Sequence, residues 1–190
     1  GPYDDAWQAY QKGDYATALK LMRPLADHGD VNAEYYVGTM YDHELGVKAN
    51  HAEAAKWYAK AVAQGNVYAM VDLGILYDNG LGVPKDYAKA MTLYRQAAAK
   101  QNATAELNIG VMYDAGKGVR QDRVEAVKWY RAAAAHGNPG AQLNLGMMYN
   151  AGDGVPKDPK QAADWFRKAA LQGNDSAQLN LGALYFSGQG

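Results

Sequence analysis

The sequence predicts an all-α solenoid of 36-residue helix-loop-helix repeats. Three observations carry this. Gly38, Gly74, Gly110, Gly146 and Gly182 recur at one spacing, as do Tyr41, Tyr77, Tyr113, Tyr149 and Tyr185, and Ala18, Ala54, Ala90, Ala126 and Ala162. Within a repeat the apolar residues follow the helical period. Capping residues and glycines punctuate the runs at fixed places. A period in this range marks stacked repeats, each of which buries its apolar face only against its neighbours.

Residues 1–29 read as an N-terminal capping hairpin. Asp4 to Lys12 passes through Gly13-Asp14-Tyr15 straight to Ala18, without the glycine-rich insert seen later. Pro24 falls inside the second helix of this hairpin and is expected to bend it. Full repeats follow over 30–65, 66–101, 102–137 and 138–173. In the second of these, Val67 to Asn79 brings Ala69, Leu73, Leu76 and Tyr77 to one face of a helix at about 100° per residue. Asn66 caps its free N–H groups, as Asn102, Asn138, Asn174 and Asp30 do elsewhere. The loop Gly80-Leu81-Gly82-Val83 reverses the chain, its glycines permitting positive φ. Val83 is expected to plug the loop into the core, echoed by Val47, Val119 and Val155. Asp86 caps the second helix, matched by Asn50, Asp122 and Asp158. That helix carries Ala90, Leu93, Tyr94, Ala97 and Ala98 on a wide apolar face, with Trp57, Trp129 and Trp165 in the Leu93 position. Gly65, Gly137 and Gly173 end their helices; Gln101 stands in for them once. Gly74 and its equivalents let two helices approach closely, and a large aromatic fills the space opposite. Residues 174–190 supply the first helix of an incomplete repeat, near Asp175 to Ser187, with its apolar side partly bare.

The string from Ala141 through Leu145, Gly146, Tyr149, Gly152, Gly154, Val155, Asp158, Ala162, Trp165 and Phe166 to Ala169 and Ala170 resembles the Sel1-like repeat. That family is related to the tetratricopeptide repeat and has a longer loop between its helices. The match runs from about Ala33 almost to the end. The first hairpin resembles an ordinary tetratricopeptide cap instead. The resemblance implies eleven helices in a right-handed superhelix whose first helices line a concave side. The opening stretch also resembles the mature start of secreted bacterial members, which implies a periplasmic or secreted home. Gly1-Pro2 reads as a protease scar or as the residue of a removed signal peptide. Gly188-Gln189-Gly190 stop where other copies continue into Val and Asp, so the chain is expected to end inside a repeat.

Composition narrows the function. Net charge is −1, which offers no bulk attraction to nucleic acid or an anionic membrane. Cysteine is absent, which excludes disulfides and thiolate metal sites. No apolar run reaches the ~18 residues of a membrane span. Of four histidines, His28 and His136 suit a helix C-terminus, His51 adjoins a cap, and only His43 lies near the expected groove. None pairs with a second histidine at metal spacing. Gly80-x-Gly82 follows a helix, so it is a turn and not a nucleotide loop. No enzyme activity, cofactor or metal is expected. A cysteine-rich branch of the family is linked to β-lactam binding, but it relies on disulfides this chain lacks.

The partner-binding candidates are the residues of the first helices that face away from their own core. They are Tyr35 and Asp42, then Tyr68, Val71, Ile75 and Asp78. In the third full repeat they are Leu107, Asn108, Val111 and Asp114, followed by Leu143, Asn144, Met147 and Asn150, and finally Asn180. Core packing competes for Val71, Leu107 and Leu143, and helix-tying for the asparagine ladder. Asp42, Asp78 and Asp114 sit in the last turn of their helices, where the dipole disfavours an anion. Either donors from the fold offset that cost, or the acidic edge serves a ligand. Lys56, Lys60, Arg95, Lys128, Arg131, Arg167 and Lys168 lie on second helices, on the convex side that the resemblance implies. The expected function is an adaptor that grips another polypeptide bearing Lys or Arg and apolar anchors. The alternative is a scaffold in an envelope or polysaccharide-export assembly, docking by its rims or by self-association through the terminal helix.

Overall fold

A computed structural model describes residues 1–189; Gly190, the last residue of the incomplete repeat, lies outside the described residues. Among these residues there are eleven helices and no strand. They are α1 (Pro2–Gln11), α2 (Tyr15–Asp27), α3 (Val31–Asp42), α4 (His51–Ala63), α5 (Val67–Asn79) and α6 (Tyr87–Ala98), then α7 (Ala103–Ala115), α8 (Arg123–Ala135), α9 (Pro139–Ala151), α10 (Pro159–Leu171) and α11 (Asp175–Phe186). The chain forms two compact units. Gly1–Ala97 holds the hairpins α1/α2, α3/α4 and α5/α6; the unit from Ala98 on holds α7/α8, α9/α10 and α11.

The caps form where the sequence places them. Asp30, Asn66, Asn102, Asn138 and Asn174 each accept a hydrogen bond from the backbone N–H three residues on, at 2.8–2.9 Å. Asn50, Asp86, Asp122 and Asp158 do the same for second helices at 3.0–3.1 Å. Each such cap contributes about 1 kcal/mol. Helix α2 runs on through Pro24 to Asp27.

The inter-helix loop is fixed at both ends. Gly80 closes α5 in the left-handed conformation, with φ of 67°, and the Asp86 N–H returns to the Tyr77 carbonyl at 2.9 Å. Gly82 has a different reason to be glycine. A Cβ there would lie 2.2 Å from the backbone of His51, so the loop rests directly on the first turn of α4. Val83 packs on the core beside it.

Two ladders of residues set the helix spacing. A Cβ on Gly38, Gly74, Gly110 or Gly146 would fall 2.5–2.7 Å from the ring of Tyr58, Tyr94, Tyr130 or Phe166 respectively. The ring therefore packs directly against bare backbone. All four rings are fully buried. Around them the core is largely alanine: Ala54, Ala61 and Ala69 in the first unit, and Ala126, Ala133, Ala141, Ala162 and Ala169 in the second. In α11, Ala177 and Leu184 join the core of the second unit, while Leu179 and Phe186 stay exposed.

Gly110→Leu should force the Tyr130 ring away and cost about 1–3 kcal/mol as an overpacked contact. Chemical denaturation should show a lowered midpoint with the helical signal retained.

Candidate functional site

The first helices of each hairpin, α1, α3, α5, α7, α9 and α11, present the expected partner surface. None of them carries a lysine or arginine, although the chain has 19. Every acidic side chain they hold, from Asp4 and Asp5 to Asp175, therefore sits on helices with no cation of their own.

In the first unit this surface is aromatic. Trp7 and Tyr10 stack at 5.5 Å between centroids, and both rings meet Tyr36 at 5.0–5.1 Å. Tyr36 contacts Tyr35 at 5.2 Å, and Tyr35 contacts Tyr68 at 6.0 Å. A continuous line of rings thus joins α1, α3 and α5. Tyr68 is its most open member, with 64% of its surface exposed. The Tyr35 hydroxyl donates to Asp72 at 2.8 Å. Burial raises the Asp72 pKa above the usual carboxylate range; Asp42 nearby adds to this, and the Tyr35 bond works against it. Ile75 is half-buried on the same helix. At Val71, a partner-face candidate for which core packing competed, core packing prevails. It is 5% exposed and belongs to the core, where burying such a side chain stabilises by about 1.5–3 kcal/mol.

In the second unit the surface is apolar and amide-bearing. Leu107, Val111 and Leu143 are half-buried against the core cluster, and Met147 is 48% exposed. Asn108, Asn144 and Asn150 are half-buried. Asn144 lies beside the Tyr130 hydroxyl, a helix-tying place, and Asn180 donates to the Ser176 carbonyl at 2.8 Å within its own helix.

The acidic ladder has internal partners, so donors from the fold offset its cost, the first of the two alternatives that the sequence left open. Tyr58, Tyr94 and Tyr130 donate their hydroxyls to Asp42, Asp78 and Asp114 at 3.0, 3.3 and 3.1 Å. The His51 ring adds a 2.9 Å contact to Asp42, and the Arg123 Nε donates to Asp114 at 3.3 Å. These groups offset the unfavourable helix-end dipole. Burial, together with the Asp114 charge, pushes the Tyr130 hydroxyl well above its usual pKa, so it remains a donor. The fourth full repeat changes both members at once: Phe166 has no hydroxyl, and Asn150 replaces the aspartate.

Sequence reasoning missed two further pairings. Arg23, Arg131 and Arg167 reach forward eighteen residues to donate to the Tyr41, Tyr149 and Tyr185 hydroxyls. Their shared 36-residue register was the available signal. His136 approaches the buried Glu106 carboxylate at 2.7 Å, a partner thirty residues away that no local pattern marks. His43 is mostly exposed, 3.6 Å from Asp42. No cluster of three His, Cys, Asp or Glu suited to a metal occurs among the described residues.

Two outcomes follow from these pairings. Tyr130→Phe should cost about 1–2 kcal/mol by removing a hydroxyl donor from the Asp114 carboxylate and leaving it Arg123, and Asp114→Asn in the same chain should recover part of that loss; a double-mutant cycle in denaturant measures the coupling. Asp72→Asn should raise the thermal midpoint at pH 7. The folded-state pKa of Asp72 lies above its unfolded value, so the folded state binds the proton more tightly and wild type loses stability as pH rises through that range. The advantage of the variant should therefore shrink as pH falls, until the carboxyl is protonated in both states.

The comparisons with known proteins agree with this architecture. The Sel1 repeat model matches residues 7–30, 31–66, 67–102, 103–138, 139–174 and 175–190, the first hairpin included. The chain is 34% identical to a Sel1 repeat protein of Oxalobacter formigenes, with a TM-score of 0.92 over 99% of this chain and 77% of that one. It is equally 34% identical to the protective antigen c5321 of uropathogenic Escherichia coli, with a TM-score of 0.90 over 99% of this chain. It spans only 41% of the length of that antigen. A Sel1 repeat protein described as putative, from Klebsiella pneumoniae, shares the fold at 22% identity and a TM-score of 0.64, over 97% of this chain and 91% of that one. None of the curated proteins matches. The chain belongs to the Sel1 repeat family.

Proposed function

We propose that this protein is a non-enzymatic adaptor that binds a segment of another polypeptide on the face of its first helices. Sel1 repeat proteins are typically protein-interaction modules. The observation that carries the finer reading is the complete absence of lysine and arginine from six helices of a chain with near-zero net charge. On the second helices, aromatic rings are covered by the chain's own cations. The Lys60 ammonium stands 4.5 Å from the Trp57 ring centroid, and that of Lys168 stands 4.5 Å from Trp165. Among the described residues, no such cation is seen over the rings of the line from Trp7 to Tyr68. Such rings attract cations through their negative faces, and the Asp72 carboxyl lies among them, bonded to the Tyr35 hydroxyl. A segment with basic and apolar side chains complements this surface, and Met147 and Val111 offer apolar contacts in the second unit.

A second reading has its own support. Leu179, Tyr185 and Phe186 are 76%, 51% and 97% exposed on α11. A Cβ on Gly182 would meet nothing within 4 Å, unlike its four counterparts in the repeats before it. Docking through this helix, as in a scaffold, would cover those side chains.

Selection of a displayed random-peptide library on the purified protein separates the two. Recovered peptides should be enriched in Arg or Lys with apolar neighbours; Tyr68→Ala should weaken binders of the first unit, and Met147→Glu binders of the second, at least tenfold. Binders indifferent to both changes, but lost on Leu179→Asp with Phe186→Asp, would transfer the function to α11.

A further inference from the structure

One repeat breaks the indole pattern. Trp57 is almost fully buried and packs in the cluster that contains Ala26, Val37 and the edge of Tyr41. Arg23 and Lys60 hold its two sides, at 5.3 and 4.5 Å from the ring centroid. One repeat later all three partners change together. Leu93 stands in place of the tryptophan, Ala59 in place of Arg23, and Gln96 in place of Lys60. The surface beneath is kept: Val62, Leu73 and Tyr77 are the counterparts of Ala26, Val37 and Tyr41. What remains is a cavity of about 430 Å³ over that surface, walled by α4, α5 and α6 within the first unit.

A leucine leaves open the space that an indole fills in the sister repeats. The floor, Leu73 and Leu93, is buried and apolar, while Lys89, Thr92 and Gln96 are exposed at the mouth. The Lys89 ammonium lies 5.3 Å from the Tyr77 ring centroid, so a cation is already stationed at the wall. Pockets of this size that are apolar with a few polar groups at the edge suit small molecules.

We propose that this cavity binds a small aromatic molecule of indole size, its ring taking the place that a tryptophan of the chain occupies in the neighbouring repeats. The site lies on the inner side of α5, opposite Tyr68 and Ile75, and is independent of the polypeptide-binding face.

Isothermal titration of indole into the whole protein tests this, with N-acetyl-tryptophanamide and N-acetyl-leucinamide as parallel probes. Indole should bind one-to-one with a Kd below about 1 mM. Leu93→Trp should bind it at least tenfold more weakly and have a higher thermal midpoint, and the leucine probe should not bind. Leu93→Phe, a smaller filling, should weaken indole to an intermediate degree and serves if the tryptophan variant does not fold. Absence of saturable binding, or equal binding by wild type and Leu93→Trp, overturns the proposal. So does tenfold tighter binding of N-acetyl-tryptophanamide than of indole, which would make the occupant a tryptophan side chain of another protein.

Discussion

An aromatic ring laid on a backbone that has no Cβ is the contact from which the rest of each hairpin follows. With glycine at positions such as 74 and 110, the ring of Tyr94 or Tyr130 occupies the space where a Cβ would stand. The two helices then stand too close for large side chains, and alanine fills the core around them. Close packing of this kind leaves little freedom to shift, so the end of the ring is as well placed as its face. Its hydroxyl arrives at the last turn of the first helix, where an aspartate receives it. The acidic residue and the ring are therefore one device. The joint change to Asn150 and Phe166 in the fourth full repeat keeps that device consistent, since an uncharged amide tolerates the loss of a hydroxyl better than a carboxylate does.

Charge is partitioned by helix and not by total. The second helices and the loops hold all the lysines and arginines, many of them spread over indoles or bonded to tyrosine hydroxyls. Such contacts let a long cationic stem cover apolar surface while its head stays wet. The first helices carry no lysine or arginine of their own, so Asp114 and the Tyr41, Tyr149 and Tyr185 hydroxyls draw theirs from second helices. A chain that is nearly neutral overall thus separates its cations from its first helices, and in the first unit the aromatic line from Trp7 to Tyr68 is where an external cation gains most.

The Leu93 repeat shows how a repeat array acquires a distinct site at small structural cost. Exchanging one tryptophan, together with the two cations around it, leaves the glycine–ring contact of Gly74 and Tyr94 in place. The frame is unchanged because the indole lies outside the contact that sets helix spacing. Its removal opens space beside that contact, and the sister repeats define what that space was shaped to hold.

The sequence by itself determined the eleven helices, their caps, the glycine loop and the ring opposite each glycine, because these depend on residues a few positions apart or on strict recurrence at 36 residues. Helical periodicity also separated inner from outer positions on the first helices. Only the tertiary structure decided which of those outer residues are spent internally. Val71 is buried, Asp42 is held by Tyr58 and His51, and Glu106 lies beneath His136. The aromatic line from Trp7 to Tyr68 and the cavity at Leu93 were equally unreadable in one dimension. The physical reason is the same throughout. A period reports which residue types recur, whereas a hydrogen bond or a void depends on where side chains from other helices end in space, to within about an ångström.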